Sequence, residues 1–297
     1  MQSLGGSTPN FPKHAALVYV QAGIVVLLAA WLYGPFVLRM ASQWWQDPNY
    51  THGFFVPVFS LFLLWERRAK LARLRINPSW SGLAILVFAL MTLIVGTIKS
   101  GFFLYRVSVL LFVAGMVVFL AGWKHLAAIS FPLAFLFLMI PSPTLTEQIT
   151  FPLQIIASKT ASFLLMLAGV PAIREGNIIL LPSAQLEVAE ACSGIRSLFS
   201  LLTLTIVYGY LAETKIGVRV LLSFMAVPIS VFANALRIAF TGLMVEGWGV
   251  ERAQGTIHAL SGWFVFVASL ALVFLIHRLV QILWPGRSEL GVREEYA

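Results

Sequence analysis

Three residues of different chemistry stand where long apolar runs begin or end. Cys192, the single cysteine among 297 residues, lies in "ACSGIRSL" (191–198). Arg237 lies in "NALRIAF" (234–240), and His258 opens "HALSGW" (258–263). A thiol is a nucleophile toward carbonyl carbon only once ionised, and at an ordinary pKa of ~8.5 it is mostly protonated at neutral pH. A helix beginning near Ile195 would present its positive end to Cys192, and Arg196 and Arg237 would add positive charge. An imidazole can take the thiol proton and later return it to a leaving amine. A guanidinium stays charged and can donate to the oxyanion of a tetrahedral intermediate.

Each residue alone also has a plain reading: a packing cysteine, an interfacial histidine, an arginine that snorkels. Arg237, however, has company. Ser230, Asn234, Arg237 and Thr241 are spaced 4, 3 and 4, a polar stripe along an otherwise apolar helix. Ionisable residues within a span are costly and tend to face a site or cavity. Asn234 is placed to orient Arg237 or His258. His258, Ser261 and Gly262 share one face of the next helix, where small residues let a neighbour approach closely.

The elements that must position these groups are membrane helices. The chain is 59% hydrophobic and only 11% charged, against about 25% charged in soluble domains. Apolar stretches of roughly 20 residues recur, each long enough to cross a bilayer. We read spans at 16–38, 53–65, 80–98, 103–121, 126–140, 197–212, 218–243 and 258–284. The fold expected is an all-α integral membrane protein with about eight transmembrane helices. The second span is short and is expected to begin earlier or to tilt. The first run, from Ala15 to about Leu38, is long enough to stay as an anchor and lacks a cleavage site. The net charge of +8 does not point to nucleic acid, because Lys and Arg sit in short loops where they orient the spans. One cysteine forms no internal disulfide. The sequence holds no metal-ligand pair of useful spacing, no glycine-rich phosphate loop and no internal repeat, so neither metal nor cofactor is expected.

Residues 142–196 break the pattern. The apolar stretch here carries Glu147, Gln148, Gln154, Ser158, Lys159 and Thr160, with Gln154 and Ser158 on one helix face. This suits an interfacial or re-entrant helix, or one lining a cavity. Beyond it, "NIILL" and "QLEVA" flank a Pro-Ser turn and read as a short hairpin before the cysteine. The chain is thus expected to be one polytopic domain over 1–297. It comprises N-terminal helices (14–141), the interfacial helix and hairpin (142–196), the helices carrying the chemistry (197–284) and a tail (285–297).

Orientation follows from Arg67, Arg68, Lys70, Arg73 and Arg75, the densest basic cluster, which is expected inside. The loop holding Trp44, Trp45 and His52 is then outside. Whether 151–170 crosses decides which side Cys192 faces. Without a crossing, 12 Lys and Arg lie inside and 8 outside; with one, and Lys159 set aside, 11 and 8. The charge rule does not choose. Either way a hairpin of two spans separates Cys192 from Arg237, and none separates Arg237 from His258, so all three share one membrane face. His52 joins them only if Cys192 is outside. Glu187 and Glu190 either position a substrate cation or keep the hairpin soluble. His125 and His277 fall on the opposite face and read as interface residues.

At these motifs the sequence resembles the exosortases, bacterial relatives of the archaeosortases, in the stand-alone form associated with exopolysaccharide loci. "ACSGIRSL", "NALRIAF" and "HALSGW" carry the likeness, and "THGFFVP" (51–57) resembles the family's Ser-His-Gly segment with Thr51 in place of serine. The resemblance implies a cysteine transpeptidase or protease of the bacterial inner membrane, with its site facing the periplasm and 151–170 not crossing. Its substrates would be exported proteins with a C-terminal sorting signal: a Pro-Glu-Pro motif, a transmembrane helix and an arginine-rich tail. An acceptor that the sequence does not identify would receive the product. By motif match Cys192 is the nucleophile, Arg237 the transition-state stabiliser and His258 the acid–base. Arg196, Asn234, Ser193, Gly194 and His52 would support them, and Glu187, Glu190, Gln154, Ser158 and Lys159 would meet substrate. Two other readings stand beside it. A small permease would place polar residues near the midplane of several helices, and a structural subunit of an export complex would need no reactive thiol.

Overall fold

The structure, a computed structural model, describes residues 13–98, 102–188, 194–250 and 256–283. It leaves out the side chains of residues 13–22, 24–26, 102 and 256–259. Cys192, Ser193 and Glu190 lie outside the described residues, as do the His258 side chain and the 285–297 tail.

The chain is mostly helical and divides into two compact units. The first comprises residues 1–46 and 67–140, the second residues 47–66 and 141–297. Among the described residues, six helices are long and apolar enough to cross a membrane. Five of them coincide with expected spans. The sixth is Pro143–Leu167, within the stretch expected to lie in the interface.

The first unit holds α1 (Lys13–Gln46), the short basic α3 (Arg68–Arg73), α4 (Ser81–Ile98), α5 (Phe102–Leu120) and α6 (Trp123–Phe135). The helix α6 contains Pro132 and passes into a 3-10 turn at Leu136–Met139, so the expected 126–140 span is a shorter apolar helix. Arg106, 1% exposed, donates from Nη2 to Gln43 Oε1 at 2.5 Å, and the Trp44 indole N–H reaches the Met139 carbonyl at 2.8 Å. The end of α1, the start of α5 and the end of α6 therefore share one end of this unit. At the other end the Arg67 guanidinium donates to the Ala128 carbonyl near the start of α6, and the Asn77 N–H reaches the Ala121 carbonyl after α5. This alternation is the one expected from the apolar runs.

The second unit begins with a 3-10 helix, Pro48–Phe54, capped by Asp47, whose carboxylate accepts from the Asn49 N–H at 2.9 Å. It leads straight into α2 (Phe55–Glu66), so the short second span does start earlier, in a tighter helix. The helix α7 (Pro143–Leu167) runs unbroken for 25 residues despite Pro152. A three-stranded antiparallel sheet follows, β1 (Ile173–Glu175), β2 (Ile178–Leu180) and β3 (Gln185–Glu187), in the order β1-β2-β3. The expected hairpin is β2–β3; β1 was not anticipated. Then come α8 (Ile195–Ala212), the 33-residue α9 (Ile216–Trp248) and α10 (Thr256–Leu283).

The relative heights of these helices matter for the site. Leu153 of α7 packs with Ile195 and Leu198 at the start of α8, and with Val231 of α9. Further along, Ala161 and Leu165 pack with Ile238 and Val245. So α7 and α9 run parallel, and both continue past the point where α8 begins. Asn234 lies at that point, and α9 carries on for fourteen residues beyond it, about 21 Å at 1.5 Å per residue. The sheet packs against this overhang through Ile179 and Val188. The Ser158 hydroxyl donates to the Gly176 carbonyl at 3.0 Å.

The opposite end of α8, α9 and α10 is clamped. His277, 2% exposed, is hydrogen-bonded through Nδ1 to the Tyr208 hydroxyl at 2.6 Å, and its Nε2 lies 3.4 Å from Glu213. It is therefore not the interface residue that the sequence suggests. Glu213 also accepts from the backbone N–H groups of Thr214 (2.8 Å) and Lys215 (3.0 Å) in the α8–α9 turn. The Lys215 N–H is the largest influence holding the Glu213 pKa below the ordinary carboxylate value, against the opposing effect of partial burial. A carboxyl group with a depressed folded-state pKa contributes stability above its unfolded pKa, and that contribution is lost as pH falls through the folded value. The melting temperature of the detergent-solubilised protein should therefore drop on acidification from about pH 5 to pH 3. Glu213→Gln should be less stable at neutral pH, by about 1–2 kcal/mol for the lost charge-assisted bonds, and should lose part of the acid dependence. A variant with the wild-type melting profile would show that the clamp is inconsequential.

Candidate active site

Both stretches of chain flanking Cys192 are anchored. On one side Val188, 1% exposed, donates its N–H to the Asn177 carbonyl at 2.9 Å. On the other, Gly194 caps α8 with φ +75°, and its carbonyl accepts from the Leu198 N–H and the Ser197 hydroxyl, both at 2.8 Å. A left-handed residue at this point suits glycine, since a Cβ there would strain the backbone. Space argues the same way: a Cβ on Gly194 would lie 3.0 Å from both Cβ and Cγ of Asn234. Asn234 is 3% exposed. Its position on α9 thus fixes where the chain leaves Cys192, two residues earlier, and enters α8. A group just before Ile195 sits at the positive end of an 18-residue helix.

Arg237 is one turn further along the same face of α9. Ser230 and Asn234 are buried and Arg237 partly so, and the Thr241 hydroxyl donates back to the Arg237 carbonyl at 2.9 Å. A Cβ on Gly262 of α10 would lie 3.4 Å from Arg237 Cζ, so the guanidinium lies against the backbone of α10. Residue 258 is one turn before Gly262 in the same helix. The chain segments that carry the thiol, the guanidinium and the imidazole therefore converge at one end of α8, α9 and α10.

His52 comes to this end as well. It is 7% exposed and stacks on Phe199, with ring centroids 5.5 Å apart. The neighbouring Tyr50 hydroxyl is hydrogen-bonded to Thr146 of α7 at 2.7 Å. Thr51 and His52, with Phe55, Ser200, Thr203 and Trp263, wall a chamber of about 510 Å³ between the 3-10 turn, α2, α8 and α10. The Thr203 hydroxyl is buried with no hydrogen-bond partner among the described residues. Thr203 was missed, although Arg196, Ser200 and Thr203 repeat the 4, 3 spacing that marked α9.

The remaining expected residues differ in exposure. Gln154 and Ser158 are buried on the inward face of α7, while Lys159 is exposed. Glu187 is exposed at the end of β3, and Arg196 is exposed in the first turn of α8. A second cavity, an apolar groove of about 560 Å³ between α9 and α10, has Arg237 in its wall.

Comparison with known proteins gives a family match. Neither the curated proteins nor the solved structures give a match. The family model of the transmembrane exosortases matches residues 44–275, a stretch that runs from the 3-10 turn with His52 through α8 and α9 and most of α10. The chain belongs to the transmembrane exosortase family.

Proposed function

We propose that the protein is a cysteine transpeptidase or protease that cleaves the C-terminal sorting signal of exported proteins at the outer face of the bacterial inner membrane. The observation that carries this reading is the pair of close approaches, Gly194 to Asn234 and Gly262 to Arg237, which set the flanks of Cys192 and His258 against neighbouring turns of one face of α9. The substrate is a peptide whose signal includes a membrane helix, so the scissile bond reaches the site at a fixed depth.

The chemistry balances with the residues of this chain. His258 accepts the Cys192 thiol proton as sulfur bonds to the scissile carbonyl carbon. The carbonyl π electrons move to oxygen, and Arg237 donates to that oxyanion. Collapse breaks the C–N bond, the departing amine takes the proton from His258, and a thioester remains. An acceptor carrying an O–H or N–H group then gives its proton to His258 and attacks the thioester, restoring the thiol. Asn234 is a positioning residue, since it backs the turn at Gly194.

A periplasmic site has two supports beyond the basic cluster that follows α2. His52 belongs to the loop expected outside, and it stacks at the start of α8. In addition, only about the first ten residues of α7 lie below the start of α8, since Leu153 is level with Ile195. At 1.5 Å per residue that is about 15 Å, half the hydrocarbon thickness. Below that level α7 is too short to reach the other face of the bilayer.

In a Cys192→Ala background, Gln185→Cys should react with a membrane-impermeant maleimide from the periplasm and Arg73→Cys only after the cytoplasm is opened. Labelling of Gln185→Cys from the cytoplasm alone would overturn the topology. In cells co-expressing a Pro-Glu-Pro-tailed reporter, Cys192→Ala should abolish processing and Cys192→Ser should come close to doing so. Arg237→Lys should lose at least tenfold, because lysine keeps the charge but not the planar fork. Near-normal processing by the lysine variant would reduce Arg237 to a charge-balancing role. Gly194→Ala should cost about 1–2 kcal/mol from the left-handed backbone and slow alkylation of Cys192; an unchanged alkylation rate would mean that the turn does not set the thiol's environment.

A further inference from the structure

The groove between α9 and α10, about 560 Å³ in volume, opens sideways. Its rims are Leu236 and Phe240 on one helix and Phe264 on the other, 44%, 48% and 74% exposed. Large apolar side chains this exposed on membrane helices face lipid, so whatever enters must itself be apolar and membrane-embedded. Its walls include Ala233, Ser261 and Ala268, small residues of the kind that let a third helix approach two others closely. The wall also contains one guanidinium, that of Arg237, and ionisable groups within a membrane span tend to mark functional sites. From Ala268 to Leu260 the groove extends over about 12 Å, two turns of helix.

We infer that this groove receives the substrate's own transmembrane helix, with the helix's outer end, and the peptide bond just beyond it, brought against Arg237. The inference rests on the sorting-peptidase reading and adds where the membrane part of the substrate lies. Arg237 joins the two regions, because its guanidinium lines the groove and also abuts Gly262, one turn from position 258. The polar face of α7 is not an equivalent entrance. Gln154 and Ser158 are turned into the protein, and the Ser158 hydroxyl is bonded to the Gly176 carbonyl.

Site-specific photocrosslinking tests this. In Cys192→Ala, benzoyl-phenylalanine at position 236 or 264 should give adducts with a Pro-Glu-Pro-tailed reporter, and the same probe at Phe163, an exposed residue of α7, should not. Ala268→Trp, which fills the groove without touching the reacting groups, should reduce processing at least tenfold while Cys192 alkylation keeps its wild-type rate. Adducts only at position 163, adducts only with phospholipid or a second copy of the enzyme, or normal processing by Ala268→Trp would each overturn the groove assignment. If Ala268→Trp also changes alkylation, the photocrosslinks decide alone. A wild-type enzyme that leaves the reporter uncut would instead bring down the peptidase reading, and the groove assignment with it.

Discussion

A guanidinium in an apolar bundle is costly, and the second unit is arranged so that Arg237 can exist where it is. Three features meet that need. The stripe Ser230–Asn234–Thr241 keeps the Arg237 face of α9 polar. The missing side chain at Gly262 lets α10 close over the cation. A partly open flank leaves the guanidinium reachable from outside the bundle. Substituting the charge removes the reason for the stripe; substituting the glycine removes the space for the charge.

The bundle is organised differently at its two ends. The far end is tied by Tyr208, His277 and Glu213, joining α8, α10 and the α8–α9 turn through side chains of distant sequence. At the end that carries the candidate site two close approaches stand out, Gly194 against Asn234 and Gly262 against Arg237. Hydrogen-bonded clamps fix separation and angle, whereas close approach at glycine fixes position and leaves the surrounding volume open. A bundle rigid at one end and roomy at the other can admit a ligand without losing its register.

Much of this was legible in the sequence because a lipid-facing helix needs little more than length and apolarity. The runs that became α4, α5, α8, α9 and α10 are of that kind. The polar stripe on α9 was visible because 4, 3, 4 spacing is a statement about one helix. The 3-10 entry to α2 was hidden, because Pro48 and Asn49 read as loop, and the turn is tied to α7 through Tyr50 and to α8 through His52. β1 was hidden because "IRE" carries no alternation of its own and exists only as a partner of β2. His277 was misread because its partners lie 64 and 69 positions away, a distance that periodicity cannot reach. The 25-residue continuity of α7 was partly concealed by Pro152, which neighbouring helices accommodate.

The overhang of α7 and α9 gives the protein two cores formed in different solvents. On the proposed topology the lower helices associate in lipid, where packing and polar contacts drive assembly. Ile179, Val188 and Val245 come together further out, where water supplies the hydrophobic force. The described chain on either side of the thiol is tied to the outer core at Val188 and to the start of α8 at Gly194. On the proposed function and topology, the thiol would be placed only after the hairpin has been translocated and has docked. A chain still emerging from the insertion machinery would carry its cysteine unassembled, and the order of biogenesis itself would keep the thiol inactive until the site is complete.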